Sequence, residues 1–349
     1  MKLSRRHITV AAAGAIAAPA LLRSGFARAA EVNLRIHHFL PPTTNAQTGV
    51  MQPWAQAVQE QSGGRIEAKI FPSMQLGGAP PQLFDQVRDG IVDLVWTVPG
   101  YTPGRFPNVE AFELPFIAGN AEATSQALAE YVEKFPDAEF KDVVPIAFWV
   151  HDPGHLHLTK AKVEKLEDLQ GLKIRFPTRQ ANEALKALNV NTVGMPVPQV
   201  PEALSRGVID GTLLPWETVP TLRLHEICKT HTHVSSSQAF YTTTLCLLMN
   251  RKRYEALPAD LRRVIDANRG LAWSRTAGKA TDAKTQSGID AAKARGNTIV
   301  TLGAEEVARW RQRCEPVHEA WAKEMEKRNA DGRAMLREAR ALLAKYAPR

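Results

Sequence analysis

The sequence predicts an α/β protein built as two lobes. Segments that read as strand, helix, strand, helix, strand follow one another from residue 32 to residue 98, and a looser version of that order returns between residues 144 and 214. No stretch rich in Pro, Gly or Ser separates the two halves. Chain in βαβ order makes a largely parallel sheet with right-handed crossovers and helices on its faces. Lobes joined by several crossings of ordered chain are the arrangement of a hinged clamp.

Each element follows from its residues. "VNLRIHHF" reads as a strand, and residues 47–61 as a helix because Val50, Trp54 and Val58 recur at fourfold spacing before Ser62-Gly63-Gly64 ends it. "RIEAKIF" alternates Ile66, Ala68 and Ile70 against Arg65, Glu67 and Lys69; a helix over 80–89 then leads through Gly90 into "IVDLVWTV". In the second half "VPIAFWV", "HLHLT" and "KIRF" are strands, residues 180–188 are helical, and "PQVPEALSRG" leads into "VIDGTLL". Gly90-Ile91-Val92-Asp93 and Gly207-Val208-Ile209-Asp210 recur after a short helix, glycine serving as the left-handed stop in both. From residue 251 the chain is mostly helical, with a break at Gly296-Asn297, a short strand "TIVTL", a helix interrupted at Pro316 and a last helix running to the terminus. The first lobe is expected to comprise 30–152 plus 241–282, and the second 153–240 plus 283–349 with the C-terminal helices.

Composition bounds the function. At 349 residues, 44% hydrophobic and 23% charged, the chain exceeds one compact core and is neither disordered nor fibrous. The opening 29 residues join Lys2, Arg5 and Arg6 to an Ala-rich apolar run and end on an A-x-A signal at Ala27 and Ala29, which reads as an export signal, twin-arginine-like or a plain Sec signal with a basic start, and a periplasmic mature protein. That leader holds five Lys/Arg and no acid, so the formal charge of +8 falls to +3 without it, and no nucleic-acid partner is expected. No apolar run after it is long enough for a transmembrane helix. Cys228, Cys246 and Cys314 lack metal-type spacing, and three buried thiols are expected rather than a Cys228–Cys246 bridge.

"KIRF" poses the functional question. Ile174 and Phe176 share one face, Lys173 and Arg175 the other, and Gly171 and Pro177 keep the strand short. Arg175 therefore stands at the carboxyl end, where open α/β sheets place ligands. The same rule brings His38, Phe39 and Thr43 after the first strand, and Tyr101 after "VWTVPG", toward a cleft between the lobes. His151, His155 and His157, with His231 and His233, suggest the rival, a periplasmic metalloenzyme. No H-E-x-x-H helix, G-x-S-x-G elbow or phosphate-cradling loop accompanies them, so no enzyme is expected.

Four stretches, "GYTPGRFPNVEAFELPF" (100–116), "LEDLQGLKIRFPT" (166–178), "GMPVPQVPEALSRGVIDGTLLPWE" (194–217) and "LLMNRKRYEALPADLRRVI" (247–265), resemble the substrate-binding subunits of tripartite ATP-independent periplasmic (TRAP) transporters, the DctP family. The resemblance covers nearly the whole mature chain. It implies a two-lobed periplasmic-binding-protein fold, type II-like, with long C-terminal helices backing both lobes. It also implies a receptor, monomeric or dimeric, that hands a small organic acid to the small and large components of an ion-driven permease. The family's carboxylate-binding arginine maps onto Arg175, whose planar fork matches a carboxylate as lysine cannot. His155 stands where some relatives carry a second arginine. Trp216 and Glu217 correspond to a Trp/acid pair that in some relatives holds a sodium or calcium ion bridging to the ligand, and no other cofactor is implied. Asn191 and Pro196 stand where relatives set a polar side chain against the ligand. Phe240 and Tyr241, at the return to the first lobe, would give an aromatic wall.

Overall fold

The computed structural model describes residues 30–348, so the export-signal expectation lies outside the described residues. The chain forms β1 (Val32–His37), β2 (Ile66–Phe71), β3 (Leu94–Thr97) and β4 (Val143–Val150), then β5 (Gly154–Leu158), β6 (Lys173–Phe176), β7 (Asn191–Gly194), β8 (Gly211–Pro215) and β9 (Thr230–His233). It returns through β10 (Thr244–Asn250) and ends its strands with β11 (Thr298–Thr301). These make two sheets, ordered β2-β1-β3-β10-β4 and β11-β9-β5-β8-β6-β7.

Both sheets are mixed, where a largely parallel pair was expected. β1 is parallel to β2 and β3, and β6 to β7 and β8, but β10 is antiparallel to β3 and β4, and β5 to β8 and β9. The reason is the hinge. β5 and β10 each begin where the chain enters a lobe from the cleft, so they run against the strands that end there. β9, whose "THTH" has no apolar alternation, was not legible as a strand.

The repeated tetrapeptide performs one task twice. Gly90 and Gly207 take φ of 76° and 69°, and the aspartate three residues on accepts a bond from a strand N–H: Asp93 from Arg35 and Asp210 from Lys173, both at 2.8 Å. The next pairs match as well, Ile36 with Leu94 and Ile174 with Gly211. His37 and Arg175 thus hold equivalent places in the two lobes.

Packing follows the strand pattern, with Val32, Leu34 and Ile36 buried and Asn33 and Arg35 exposed. Behind the sheets the tail forms two consecutive helices, Leu271–Asp282 against Ala121–Lys134 of the first lobe, and Thr285–Ala294 against Trp216–Thr218 and β11 of the second. The helix Ala304–Lys327 runs unbroken through Pro316, contrary to the expected interruption. Cys314, Val317, His318 and Trp321 are buried on either side of the proline, and their packing outweighs its one lost backbone bond. The last helix, Gly332–Tyr346, returns to the first lobe, where Lys134 pairs with Glu338 at 2.5 Å and Lys345 with Glu130 at 2.5 Å. The three cysteines are buried and unpaired, with no Cys228–Cys246 bridge.

Gly288 gives this bracing a direct test. It lies in the helix Thr285–Ala294 against the Trp216 carbonyl, and a methyl group there would overlap that backbone. Gly→Ala inside a helix ordinarily stabilises by about 1 kcal/mol; here Gly288→Ala is expected to destabilise by about 1–3 kcal/mol, read from the urea midpoint.

Candidate functional site

The carboxyl ends of β1, β3, β6 and β8 converge on a cavity of about 60 Å³ between the lobes, several times the roughly 10–15 Å³ that holds one water. Arg175, third residue of β6, is fully buried in its wall. Its Nε donates to the Met195 carbonyl at 2.9 Å and its Nη1 to the Leu213 carbonyl at 3.0 Å, which fixes the plane of the fork. Nη2, also buried, makes no hydrogen bond. Burial presses the arginine's pKa below its usual value, and the Tyr101 and Tyr241 hydroxyls partly oppose this. The Tyr101 oxygen nevertheless accepts its well-formed bond from the Val197 N–H at 3.0 Å. No carboxylate pairs with Arg175 in the described structure.

Aromatic rings form much of the remaining wall. Phe39 packs on Trp96 (4.8 Å between centroids) and on Tyr101 (5.4 Å), and Trp96 on Trp149 (6.5 Å). Tyr241 closes another side with His151 against its ring at 5.2 Å. The Tyr241 Oη, Trp96 Nε1 and Thr243 Oγ1 of this wall are buried without partners, as Nη2 is. A buried donor left unpaired costs about 1–3 kcal/mol, so the cavity is built to receive acceptors.

A second polar region lies where β8 runs out at Pro215. Glu217 lines the cavity there, beside Asn45 from the turn that opens the first helix. Burial lifts Glu217 to a pKa of about 7, against the opposing hydrogen bond of Asn45. It also lifts the buried Asp152 well above the usual range, with Glu217 adding to the effect. Asp152 Oδ2 accepts from Thr285 at 2.9 Å.

The cavity thus gathers Arg175, Phe39, Tyr101 and Glu217 from the expected residues, and Tyr241 from the expected aromatic wall. The others stand elsewhere. His38 lies beneath the wall, its Nε2 on Gln47 at 2.9 Å and its Nδ1 accepting from Leu40 N. Thr43 is exposed, and its neighbour Thr44 lines the cavity instead. Asn191 opens the edge strand β7, exposed and paired with Lys173 at the amino end, a strand's length from the cleft. Pro196 borders a separate outer groove. Phe240 packs between Phe116 and Trp310 in the second core. His155 accepts from the Val234 N–H and stacks on His233 at 4.2 Å.

Trp216 turns the opposite way from Glu217, into that histidine layer, with Nε1 donating to His233 Nδ1 at 3.0 Å. Its carbonyl accepts from Val219 N and lies against Gly288. Trp216 and Glu217 therefore offer no shared corner, and the pair does not fit a cation site.

The metalloenzyme alternative fails on the same layer. His157 Nε2 donates to the Leu214 carbonyl at 3.0 Å, so its Nδ1 accepts from His231 Nδ1 at 2.7 Å, and His231 Nε2 accepts from Asn297 at 3.0 Å. Every nitrogen of that chain is spent, and burial holds His231 near a pKa of about 4 and His157 well below its usual value. Among the described residues no three His, Cys, Asp or Glu side chains are placed to hold a metal.

Trp96, Trp149 and Asn45 were missed. The tryptophans sit inside apolar strands that read as core, although both lie near carboxyl ends, where the strand-end rule finds them. Asn45 precedes a π-helical turn, Ala46–Met51, that no sequence pattern announced.

Beside the cavity, Glu110 of the first lobe accepts from Arg179 Nε at 3.1 Å and Gln180 Nε2 at 2.7 Å of the second. Glu113 accepts from Thr244 N at 2.9 Å.

The family model "Bacterial extracellular solute-binding protein, family 7", DctP, matches residues 36–324. A TRAP solute-binding protein from Rhodoferax ferrireducens, solved with copurified benzoate, is 45% identical, with 90% of this chain and 98% of that one covered and a TM-score of 0.88. A marine metagenome TRAP protein described as specific for aromatic acid ligands, solved with 3-hydroxybenzoate, is 44% identical, with 92% and 100% covered and a TM-score of 0.89. The dicarboxylate-binding periplasmic protein DctP of Rhodobacter capsulatus is 26% identical, with 91% of this chain and 94% of that one covered.

Glu113 makes the seam between the lobes sensitive to pH. Burial first, and the Glu110 charge second, push its pKa from 4.5 up to about 8. The folded protein thus keeps a proton that the unfolded chain gives up. That contribution is complete below pH 4.5 and is lost as pH rises through 8. Glu113→Gln removes the slope, at most about 1.4 kcal/mol per pH unit. Its stability relative to wild type is expected to rise steadily from pH 5 to pH 8 in urea titrations; a constant difference would mean Glu113 does not hold that proton.

Proposed function

Because the chain belongs to bacterial extracellular solute-binding protein family 7 and is a substrate receptor of a TRAP transporter, we propose that the solute it carries is an aromatic monocarboxylate. The observation that carries this is the pairing of one buried, half-satisfied guanidinium with a wall of Phe39, Trp96, Tyr101, Trp149 and Tyr241. Arg175 Nη2 and Tyr241 Oη donate to the carboxylate, and the rings enclose the apolar body. Charge-assisted bonds contribute roughly 1.5–3 kcal/mol each, whereas micromolar affinity needs about 8 kcal/mol. The rings and the exclusion of water must therefore supply much of the binding. The ligands of the benzoate-bound and 3-hydroxybenzoate-bound relatives support the reading.

Family members are periplasmic and work with TRAP membrane components. In this reading the receptor binds its acid unchanged, closes, and presents it to the small and large permease subunits without catalysing a reaction. No cation accompanies the ligand.

Calorimetry on the full chain tests the proposal. Benzoate is expected to bind, and aliphatic dicarboxylates at least tenfold more weakly. Arg175→Lys is expected to lose about ten- to a hundredfold in benzoate affinity while its unliganded melting temperature stays close to wild type. A preference for a dicarboxylate, or an Arg175→Lys variant that binds as before, would overturn it.

A further inference from the structure

We infer that the preferred ligand carries a ring hydroxyl at the end away from its carboxylate, and that Glu217, with Asn45, recognises it. This rests on the aromatic-acid reading above and deepens it. The cavity has two chemically opposite ends. Around Arg175 the unpartnered buried atoms are donors, Nη2 and the Tyr241 Oη, and the nearby groups that act on Arg175 are Tyr101 and Tyr241.

Beside Glu217 the buried atom left without a partner is an acceptor, the Asn45 Oδ1. Asn45 is 8% exposed and lines the cavity, its Nδ2 donates to the Ala280 carbonyl at 3.1 Å, and its Oδ1 is buried without a partner. Three of the threonine hydroxyls that line this end are committed to backbone, and the half-buried Thr221 is not. Thr44 donates to Pro41 O at 2.8 Å, Thr218 to Pro215 O at 2.9 Å and Thr281 to Ala277 O at 2.9 Å.

A ligand group that satisfies such an end must donate, and it must be neutral, because burial already presses Glu217 and Asp152 toward their neutral forms and a third acid there would add to that cost. A second carboxylate is therefore turned away, and a plain hydrocarbon edge leaves that acceptor unpaired. A phenolic hydroxyl meets both conditions. The chain sets the separation. Arg175 is tied to the Leu213 carbonyl, Glu217 comes four residues later, past the end of β8 at Pro215, and both line the one cavity.

The test compares ligands on the full chain by calorimetry: benzoate, 3- and 4-hydroxybenzoate, and the matched 3- and 4-fluorobenzoates, whose substituent is of similar size but donates nothing. The better hydroxybenzoate is expected to bind about tenfold more tightly than its fluoro counterpart and than benzoate. In Glu217→Leu that ratio is expected to fall below twofold, whichever way the absolute affinities move, and Glu217→Gln, which keeps an acceptor oxygen, should restore part of it.

The wild-type comparison needs no variant and stands even if Glu217→Leu does not fold. Tight binding of benzoate with no gain from the hydroxyl overturns this inference and leaves the aromatic-acid reading intact, as does a hydroxyl preference that survives in Glu217→Leu. Failure of every aromatic acid to bind overturns both.

Discussion

The structure is organised around a positive charge taken out of water. Arg175 has no exposed surface and no carboxylate partner, and two backbone carbonyls answer only part of its fork. A lone buried ion costs several kcal/mol even after the protein relaxes, and the seam between the lobes is where that cost can be relieved by a visitor. This explains why so much surrounding chain holds the group still. Met195 and Leu213 come from the two sides of β6, Tyr101 reaches across from the other lobe, and Val197 in turn fixes Tyr101. An anion entering the site meets a fork already aimed, and little ordering remains to be done on binding.

The fold was legible because alternation survives in β1 and β2 and because glycine stops such as Gly90 and Gly207 mark the turns between helix and strand. What escaped the sequence was direction and context. β5 and β10 reverse because they begin at the hinge, a fact about where the chain crosses and not about any residue in them. β9 is polar because His231 bonds to His157 of β5 and His233 accepts from Trp216, so no apolar pattern exists to find. Pro316 looked like a break because a local rule was applied where tertiary packing decides.

The same distinction governs the site. Arg175, Phe39 and Tyr101 follow or close strands that point at the cleft, and position alone found them. Trp216 and Glu217 are neighbours, yet a short 3₁₀ turn sends one into the histidine layer and the other to the cavity. Their contrast was invisible without the turn. Trp96 and Trp149 illustrate the converse: a buried tryptophan in an apolar strand reads the same whether its face meets core or ligand.

The tail helices have a mechanical consequence. Leu271–Asp282 is fixed to one lobe and Thr285–Ala294 to the other, with Ala283 and Lys284 alone between them. Separation of the halves must be absorbed in the torsions of those two residues together with the crossing segments, so the spine favours rotation about a line near that joint over sliding. Such a pivot sits behind the cleft, so rotation about it opens the mouth far more than the back and frees the ligand without unpacking either body.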